Sequence, residues 1–173
     1  MDRGALEYTV LTRNEILKRE IQFVSNYEHF STCFSDQQFL SALSQIKYQI
    51  AHKKDKITII NWSCDIKFHD SLVKALAQCI SKKKEEKDEL MESKYSTAKL
   101  LSSICRTWSN HSLVFCNCFF QSNGLKVVFT YLRDENLREN LNNKNMITLV
   151  RSMIGCLVNL SKLYAVYKNE WKD

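Results

Sequence analysis

The sequence predicts an all-α protein, and three observations support this class. The 173 residues contain no proline and only three glycines, too few for the many tight turns of a β-sandwich or barrel. Apolar residues (45%) and charged residues (25%) are close to globular values, so wholesale disorder is not expected. Apolar residues also recur at helical spacing along most of the chain. A chain of this length fits one domain, or slightly more.

Two amphipathic helices are predicted in the first third of the chain. Asn14 is a candidate N-cap for a helix over 14–30, and Asp36 for a second helix over 36–52. In both segments the apolar residues are spaced by three and four positions, so each helix has one apolar face. This face is expected to be buried.

The next segment, 57–62, has the ambiguous sequence Ile-Thr-Ile-Ile-Asn-Trp. Its β-branched residues favour a strand. The rest of the chain provides no second strand to pair with it, so we favour a buried helix over a strand. After this segment, Asp70 is predicted to cap a helix over 71–81.

The C-terminal half of the chain alternates apolar helices with short breaks. A strong helix is predicted over 92–110, with Trp108 on its apolar face, and a very apolar one follows over 113–121. Asn123-Gly124 interrupts the pattern. The remaining predicted segments are a helix over 125–133, a polar connector over 137–145 and a long helix over 146–164.

The chain repeats weakly on itself at an offset of 52 residues. At this offset Cys64 aligns with Cys116, Phe68 aligns with Phe120, and the apolar face of 95–108 aligns with that of 147–160. One offset serves three successive helices without a gap. The predicted organisation is an N-terminal helical pair acting as a cap or partial unit (1–59), two repeat units (60–111 and 112–163) and a tail (164–173).

Two motifs of the second unit carry a resemblance to a known family. Residues 123–132 read Asn-Gly-Leu-Lys-Val-Val-Phe-Thr-Tyr-Leu, and residues 155–161 read Gly-Cys-Leu-Val-Asn-Leu-Ser. They resemble the armadillo repeat, which has a glycine before its second helix and Leu-x-Asn-Leu-Ser in its third. The first unit departs from this pattern at Leu72, Ser103 and Thr107. The resemblance implies a right-handed superhelix of two to three units.

The resemblance also implies a binding function. In armadillo-like proteins the third helices line a concave groove that holds an extended peptide, which implies this role for Asn159 and, more loosely, for Arg151 and Lys162. Asparagine can bond both edges of a peptide backbone, and cations select acidic ligands. Importin-type repeats have a tryptophan where this chain has Gly155, so nuclear import is not favoured. The expected partner-binding residues of the two polar faces are Lys99, Arg106, Asn110, Arg151, Asn159 and Lys162. The alternative is that these are ordinary solvated faces.

The seven cysteines lie within apolar runs, which is typical of buried thiols in a reducing compartment rather than of a disulfide framework. Cys116 and Cys118, with His111 nearby, raise the question of a zinc site. Positions i and i+2 of a helix point about 200° apart, so core packing is favoured. We expect no metal, no cofactor and no catalytic set, although a helical enzyme remains a third option.

Charge and targeting signals limit the partners and the compartment. The net charge is +6, no secretory signal is visible and no apolar run approaches the ~18 residues of a membrane span, so a cytoplasmic protein without a membrane partner is expected. The predicted function is a non-catalytic scaffold or adaptor for a protein or peptide, for which the cations favour an acidic ligand. One alternative is a nucleic-acid-binding protein that uses Lys53, Lys54, Lys56 and 82–84. Another is a helical regulatory part of a larger protein.

Overall fold

A computed structural model describes residues 3–80, 88–139 and 141–167, and all regular structure within these ranges is helical. This confirms the all-α class. The α-helices are α1 (Arg3–Ser25), α2 (Gln37–Ala51), α3 (Lys56–Asp65), α4 (Phe68–Gln78), α5 (Asp88–His111), α6 (Leu113–Gln121), α7 (Gly124–Leu132), α8 (Glu135–Glu139) and α9 (Lys144–Tyr167). A short 3-10 helix, Phe30–Ser35, joins α1 to α2.

The first helix begins earlier than predicted. Because α1 starts at Arg3, Asn14 lies inside the helix and the prediction that it caps the helix is wrong. An asparagine in a helix interior costs only a few tenths of a kcal/mol, roughly 0.7 at most, so the helix continues through it. The Asn14 side chain instead joins two elements, since Lys53 Nζ donates a hydrogen bond to its Oδ1 at 2.9 Å. The helix also ends five residues before the predicted limit, at Ser25.

Asp36 caps α2, as predicted. Its carboxylate accepts hydrogen bonds from the backbone N–H groups of Gln38 at 2.9 Å and Phe39 at 3.4 Å. Tyr27 Oη also donates to it, at 2.6 Å. The bond from Tyr27 and the two N-cap bonds hold the pKa of Asp36 below its usual value. The start of α2 is therefore fixed to the end of α1.

The ambiguous segment 57–62 is helical, as favoured from the sequence, and belongs to α3. Ile59 and Ile60 are buried within the core. Thr58 Oγ1 donates to Asp55 Oδ2 at 2.8 Å in the first turn. Burial of the β-branched side chains against neighbouring helices outweighs their local preference for extended backbone.

Two left-handed residues turn the chain between consecutive short helices. Lys67 (φ 62°) precedes α4 and Asn123 (φ 66°) precedes α7. Asp70 was predicted to cap α4, and this is wrong, because α4 begins at Phe68 and Asp70 lies in its first turn. Its carboxylate instead accepts a hydrogen bond from Ser122 Oγ. Left-handed backbone at a non-glycine residue is uncommon, so its recurrence marks equivalent turns.

The same succession of three helices recurs along the chain at a displacement of 56 or 57 residues. Helices α3, α4 and α5 begin at 56, 68 and 88, and helices α6, α7 and α9 begin at 113, 124 and 144. The apolar pattern in the sequence gives 52 instead, which is one helical turn less. Four residues are about one turn of a helix, so both offsets superpose the apolar faces.

Helices α5 and α9 form the most extensive helix pairing among the described residues. Hydrogen bonds join Lys99, in the middle of α5, to Asn145 in the first turn of α9, and Asn110, near the end of α5, to Lys162 further along α9. The two helices therefore run parallel. Helix α2 also packs on α5, while α4 packs on α1, α5 and α7, and α3 packs on α6.

The core is continuous across these helices, with buried apolar side chains from Leu17 in α1 to Leu163 in α9. Trp108 was predicted to be a core residue, and its 0% exposure confirms this. Its ring lies 4.7 Å from that of Phe68 and 5.9 Å from that of Phe115, between centroids. All seven cysteines are free thiols, and six of them are buried, Cys118 being half-buried.

The predicted polar connector 137–145 overlaps a short helix, α8, whose Leu137 is buried. The basic run at 82–84, part of the predicted nucleic-acid surface, lies outside the described residues.

One stretch within the described ranges, Lys144–Leu163, passes a length and composition test for a membrane span, with a mean hydropathy of 1.4. In the fold, 44% of that stretch is buried against other helices. A core helix of a soluble protein has the same properties, so the stretch is weak evidence for a membrane segment.

Candidate partner-binding groove

The seam between α5 and α9 opens into a groove of about 790 Å³. Four of the six predicted partner-binding residues line it: Arg106, Asn110, Arg151 and Asn159. The other two, Lys99 and Lys162, lie along the same seam and bond across it. The structure therefore brings all six together on one pair of helices.

The groove is basic. Arg106 and Arg151 are exposed, and none of the residues that line the groove is acidic. Within the described residues, neither guanidinium is paired with a carboxylate. Arginine presents a planar set of donors that matches a carboxylate, so these two side chains are available to an acidic ligand.

Gly155 determines where Arg106 lies. A Cβ atom at position 155 would be 2.6 Å from Arg106 Nε and 2.8 Å from its Cδ, which is closer than real contacts allow. The side chain of Arg106 therefore crosses the surface of α9 at the one position that carries no side chain. The groove therefore has a cationic side chain lying over Gly155.

Asn159 is bound within the protein. Its side chain is 7% exposed, and its Nδ2 donates to the backbone oxygen of Arg106 at 2.9 Å and to Ser109 Oγ at 3.0 Å. Both amide hydrogens are thus used to hold α9 against α5. An asparagine that binds a peptide backbone would need these hydrogens for the ligand, so the geometry gives Asn159 a positioning role.

The two lysines mark the ends of the seam. Lys99 Nζ donates to Asn145 Oδ1 at 3.1 Å, and Lys162 Nζ donates to Asn110 Oδ1 at 3.2 Å. Both partners are neutral amides, so the positive charges are not neutralised by these bonds. Lys162 is exposed and remains open to a ligand, whereas Lys99 is half-buried.

Two apolar side chains of the groove were not identified from the sequence. Ile154 is 48% exposed and Val158 is 59% exposed, and they are four residues apart on α9. Apolar residues at this spacing are typical of a core face, so their exposure could not be predicted from the sequence. With Arg106 and Arg151 they make a surface that is both apolar and cationic.

The thiols beneath the groove are protonated. Burial raises the pKa of Cys156 to about 12, although the nearby positive charge of Arg106 opposes this. Burial also raises the pKa of Cys116, again against a cation, Lys162. Since the thiolate is the nucleophilic form of cysteine, these residues are core groups rather than nucleophiles.

The pair Cys116 and Cys118 is divided between two sides of α6, as the helical geometry predicts. Cys116 Sγ lies 3.1 Å from the backbone oxygen of Ser109, beneath the groove. The thiol of Cys118 lies against Cys64 of α3. These two cysteines therefore do not share one metal ion.

Of the basic surface predicted for nucleic acid, only Lys53, Lys54 and Lys56 lie within the described part of the chain. Lys53 is bonded to Asn14, Lys56 is half-buried, and Asp55 lies among them. Of the three described lysines, only Lys54 is fully exposed. The bond to a neutral amide leaves the charge of Lys53 in place, and nucleic-acid binding stays a prediction because 82–84 lie outside the described residues.

A second, more apolar groove of about 500 Å³ lies between α2 and α5. Its walls include Tyr48, which is 61% exposed, together with Lys47, Leu100 and Ile104. Helix α5 thus has a groove on each side.

No family model, curated protein or solved structure matches the chain.

Proposed function

We propose that the chain is a non-catalytic protein-interaction module, a cytoplasmic scaffold or adaptor, that binds an acidic, extended peptide segment in the groove between α5 and α9. The observation that carries this proposal is the make-up of the groove. Two exposed arginines, without any acidic neighbour in its lining, lie beside two exposed apolar side chains. A segment that alternates carboxylates with apolar residues complements such a surface.

An armadillo-like superhelix is part of this proposal. Three features support it: the parallel packing of α5 and α9, the left-handed turns at Lys67 and Asn123, and the recurrence of three helices after 56 or 57 residues. In such an architecture equivalent helices stack side by side, and their exposed faces form one continuous binding surface.

The ligand is best identified by selection. The full chain is immobilised and used to select random twelve-residue peptides displayed on phage, in a reducing buffer at 0.15 M salt. We expect the selected peptides to be enriched in aspartate and glutamate and to contain apolar residues between them. Each selected peptide is then measured by fluorescence polarisation against the free protein.

A pair of charge reversals locates the binding site. Arg106→Glu with Arg151→Glu is expected to weaken peptide binding by about 10-fold or more, since each lost charge-assisted contact is worth on the order of 1 kcal/mol. The matched control is Lys126→Glu with Arg138→Glu, which makes the same change in net charge at exposed positions of α7 and α8, outside the groove. It should bind within about 3-fold of the original chain, allowing for long-range charge effects.

Equal loss in both double variants would contradict the groove assignment, because only net charge would then matter. Peptides without acidic enrichment would contradict the ligand class. Binding of duplex DNA with a steep salt dependence, a slope near −0.9 per phosphate contacted, would favour the nucleic-acid alternative instead.

A further inference from the structure

Three potential metal ligands meet on the side of the molecule formed by α3, α4 and α6. Cys64, His69 and Cys118 each offer one ligand atom, and these atoms lie within 4.8 Å of one another. Cys64 and His69 are buried and Cys118 is half-buried, so the cluster has a core side and an open side. It lies apart from the peptide groove, since none of the three lines it.

The fold holds the three residues together. The left-handed turn at Lys67 brings the end of α3 and the start of α4 close to each other, with Cys64 and His69 on either side of it. Helix α6 is attached at both of its ends. Ser112 Oγ donates to Asn61 Oδ1 of α3 at 2.6 Å, and Ser122 Oγ donates to Asp70 of α4. Cys118 lies between these two bonds.

His69 provides a second, independent observation. Its side chain is buried, with the residue 8% exposed, and its Nδ1 has no hydrogen-bond partner. A buried polar atom without a partner is costly and rare. Its other nitrogen, Nε2, lies 3.6 Å from Asp70 Oδ1. A histidine that binds a metal through one nitrogen commonly directs the other at a carboxylate, which orients the ring.

We propose that Cys64, His69 and Cys118 form a Zn²⁺ site, with His69 binding through Nδ1 and with a fourth position open to water. Two sulfurs and one imidazole nitrogen are a donor set that zinc prefers. Zinc–sulfur distances of about 2.3 Å and zinc–nitrogen distances of about 2.0–2.1 Å require the donor atoms to move slightly closer than 4.8 Å. Three protein ligands leave the fourth tetrahedral position free, as in zinc sites that exchange ligands.

Binding of the metal is coupled to loss of the thiol protons. Each thiol loses its proton to solvent as its sulfur binds Zn²⁺. Two protons are therefore released, and the two thiolates balance the charge of the ion.

The test uses the full chain, reduced with a phosphine and freed of metal, and titrated with Co²⁺ as a spectroscopic substitute. We expect one Co²⁺ per chain, with intense sulfur-to-cobalt charge-transfer absorption, and complete displacement by one equivalent of Zn²⁺. Zn²⁺ should also protect Cys118 from alkylation, measured by mass spectrometry on the unmodified sequence. This second readout does not depend on any variant folding.

Cys118→Ala should abolish the thiolate absorption pattern of the native site and weaken Zn²⁺ binding at least 100-fold. The matched control, Cys116→Ala, removes a thiol two residues away on the other side of α6 and should leave both unchanged. Asp70→Asn keeps an oxygen that can accept from Ser122 and should weaken Zn²⁺ binding about 10–100-fold, as loss of an orienting carboxylate does.

Failure of the folded chain to bind Co²⁺ or Zn²⁺ would overturn the proposal. Equal Zn²⁺ affinity in the Cys118→Ala and unmodified chains would overturn it as well, since the ion would then lie elsewhere. Binding of Cu⁺ without binding of Zn²⁺ would overturn the choice of metal.

Discussion

At the scale of single residues, polar side chains form hydrogen bonds that join one helix to the next. Asn159 joins α9 to α5, Asp36 joins α2 to Tyr27, and Ser112 joins α6 to Asn61. Each bond crosses from one element to another, so its loss should loosen a helix contact as well as remove a hydrogen bond. The consequences differ with burial.

Asn159→Ala should lower the free energy of unfolding by about 1–3 kcal/mol, since it removes two hydrogen bonds at a buried site. Urea unfolding followed by circular dichroism measures this. Asn110→Ala is the control, because it removes one exposed bond of the same seam and should cost less than about 0.5 kcal/mol. Equal effects for the two variants would mean that Asn159 does not hold the helices together.

The carboxylate of Asp36 should make stability depend on pH. The pKa of Asp36 is lowered in the folded chain, so its contribution is fully present above the unfolded value of about 3.9 and is lost as pH falls through the lower folded value. The stability difference between the original chain and Asp36→Asn should therefore shrink between pH 5 and pH 3. Urea midpoints of both proteins across this range test it, and a constant difference would contradict it.

At the scale of helices, the sequence predicted which segments are helical better than where they begin. The predicted cap at Asp36 is confirmed, and the predicted starts of α6 and α9 are close to the observed ones. Side-chain caps and apolar runs are local signals, which is why they could be predicted. The caps at Asn14 and Asp70 were wrong. A left-handed lysine before α4 carries no local signal, since lysine rarely adopts that backbone.

The apolar pattern and the helix starts give different offsets for the repeat. The apolar pattern aligned residues 52 apart, and two such pairs, Asp70 with Ser122 and Asn110 with Lys162, do bond to each other. The equivalent turns, however, are 56 apart, at Lys67 and Asn123. The apolar pattern thus aligned residues that contact each other between the two units. Residues that pack together have similar apolar surroundings, so they align in the sequence.

Gly155→Ala in α9 should weaken peptide binding without lowering the stability of the protein. Alanine is favoured over glycine in a helix by about 1 kcal/mol, and the atoms it would meet belong to a flexible arginine side chain, so stability should stay equal or rise. Arg106 would have to leave its position, and affinity for the acidic peptides should fall several-fold. Thermal unfolding and fluorescence polarisation test this together. A destabilised Gly155→Ala protein would mean that Arg106 cannot move.

At the scale of the whole molecule, α5 and α9 contribute both to the core and to the groove. The sequence placed all six candidate residues on one seam, because helical periodicity fixes which side chains share a polar face. It could not place the cluster of Cys64, His69 and Cys118. Those residues come from three helices, and their meeting is decided by packing rather than by spacing along the chain.

The continuous core predicts that the chain unfolds as one unit. Unfolding curves from far-ultraviolet circular dichroism and from tryptophan fluorescence should coincide. Trp108→Phe should shift both curves together, since Trp108 packs on Phe68 of α4 and Phe115 of α6. Two separate transitions would instead show that the helical units unfold independently, as in long repeat arrays.

The parallel direction of α5 and α9 has an electrical consequence. The peptide dipoles of a helix add along its axis, so its N-terminal end carries about half a positive charge and its C-terminal end about half a negative charge. In antiparallel neighbours these fields cancel, whereas in α5 and α9 they reinforce each other along the groove. The two ends of the groove are therefore not equivalent. An extended acidic ligand should lie in it in one orientation, with its free carboxyl terminus towards the N-terminal end of α9, near Asn145.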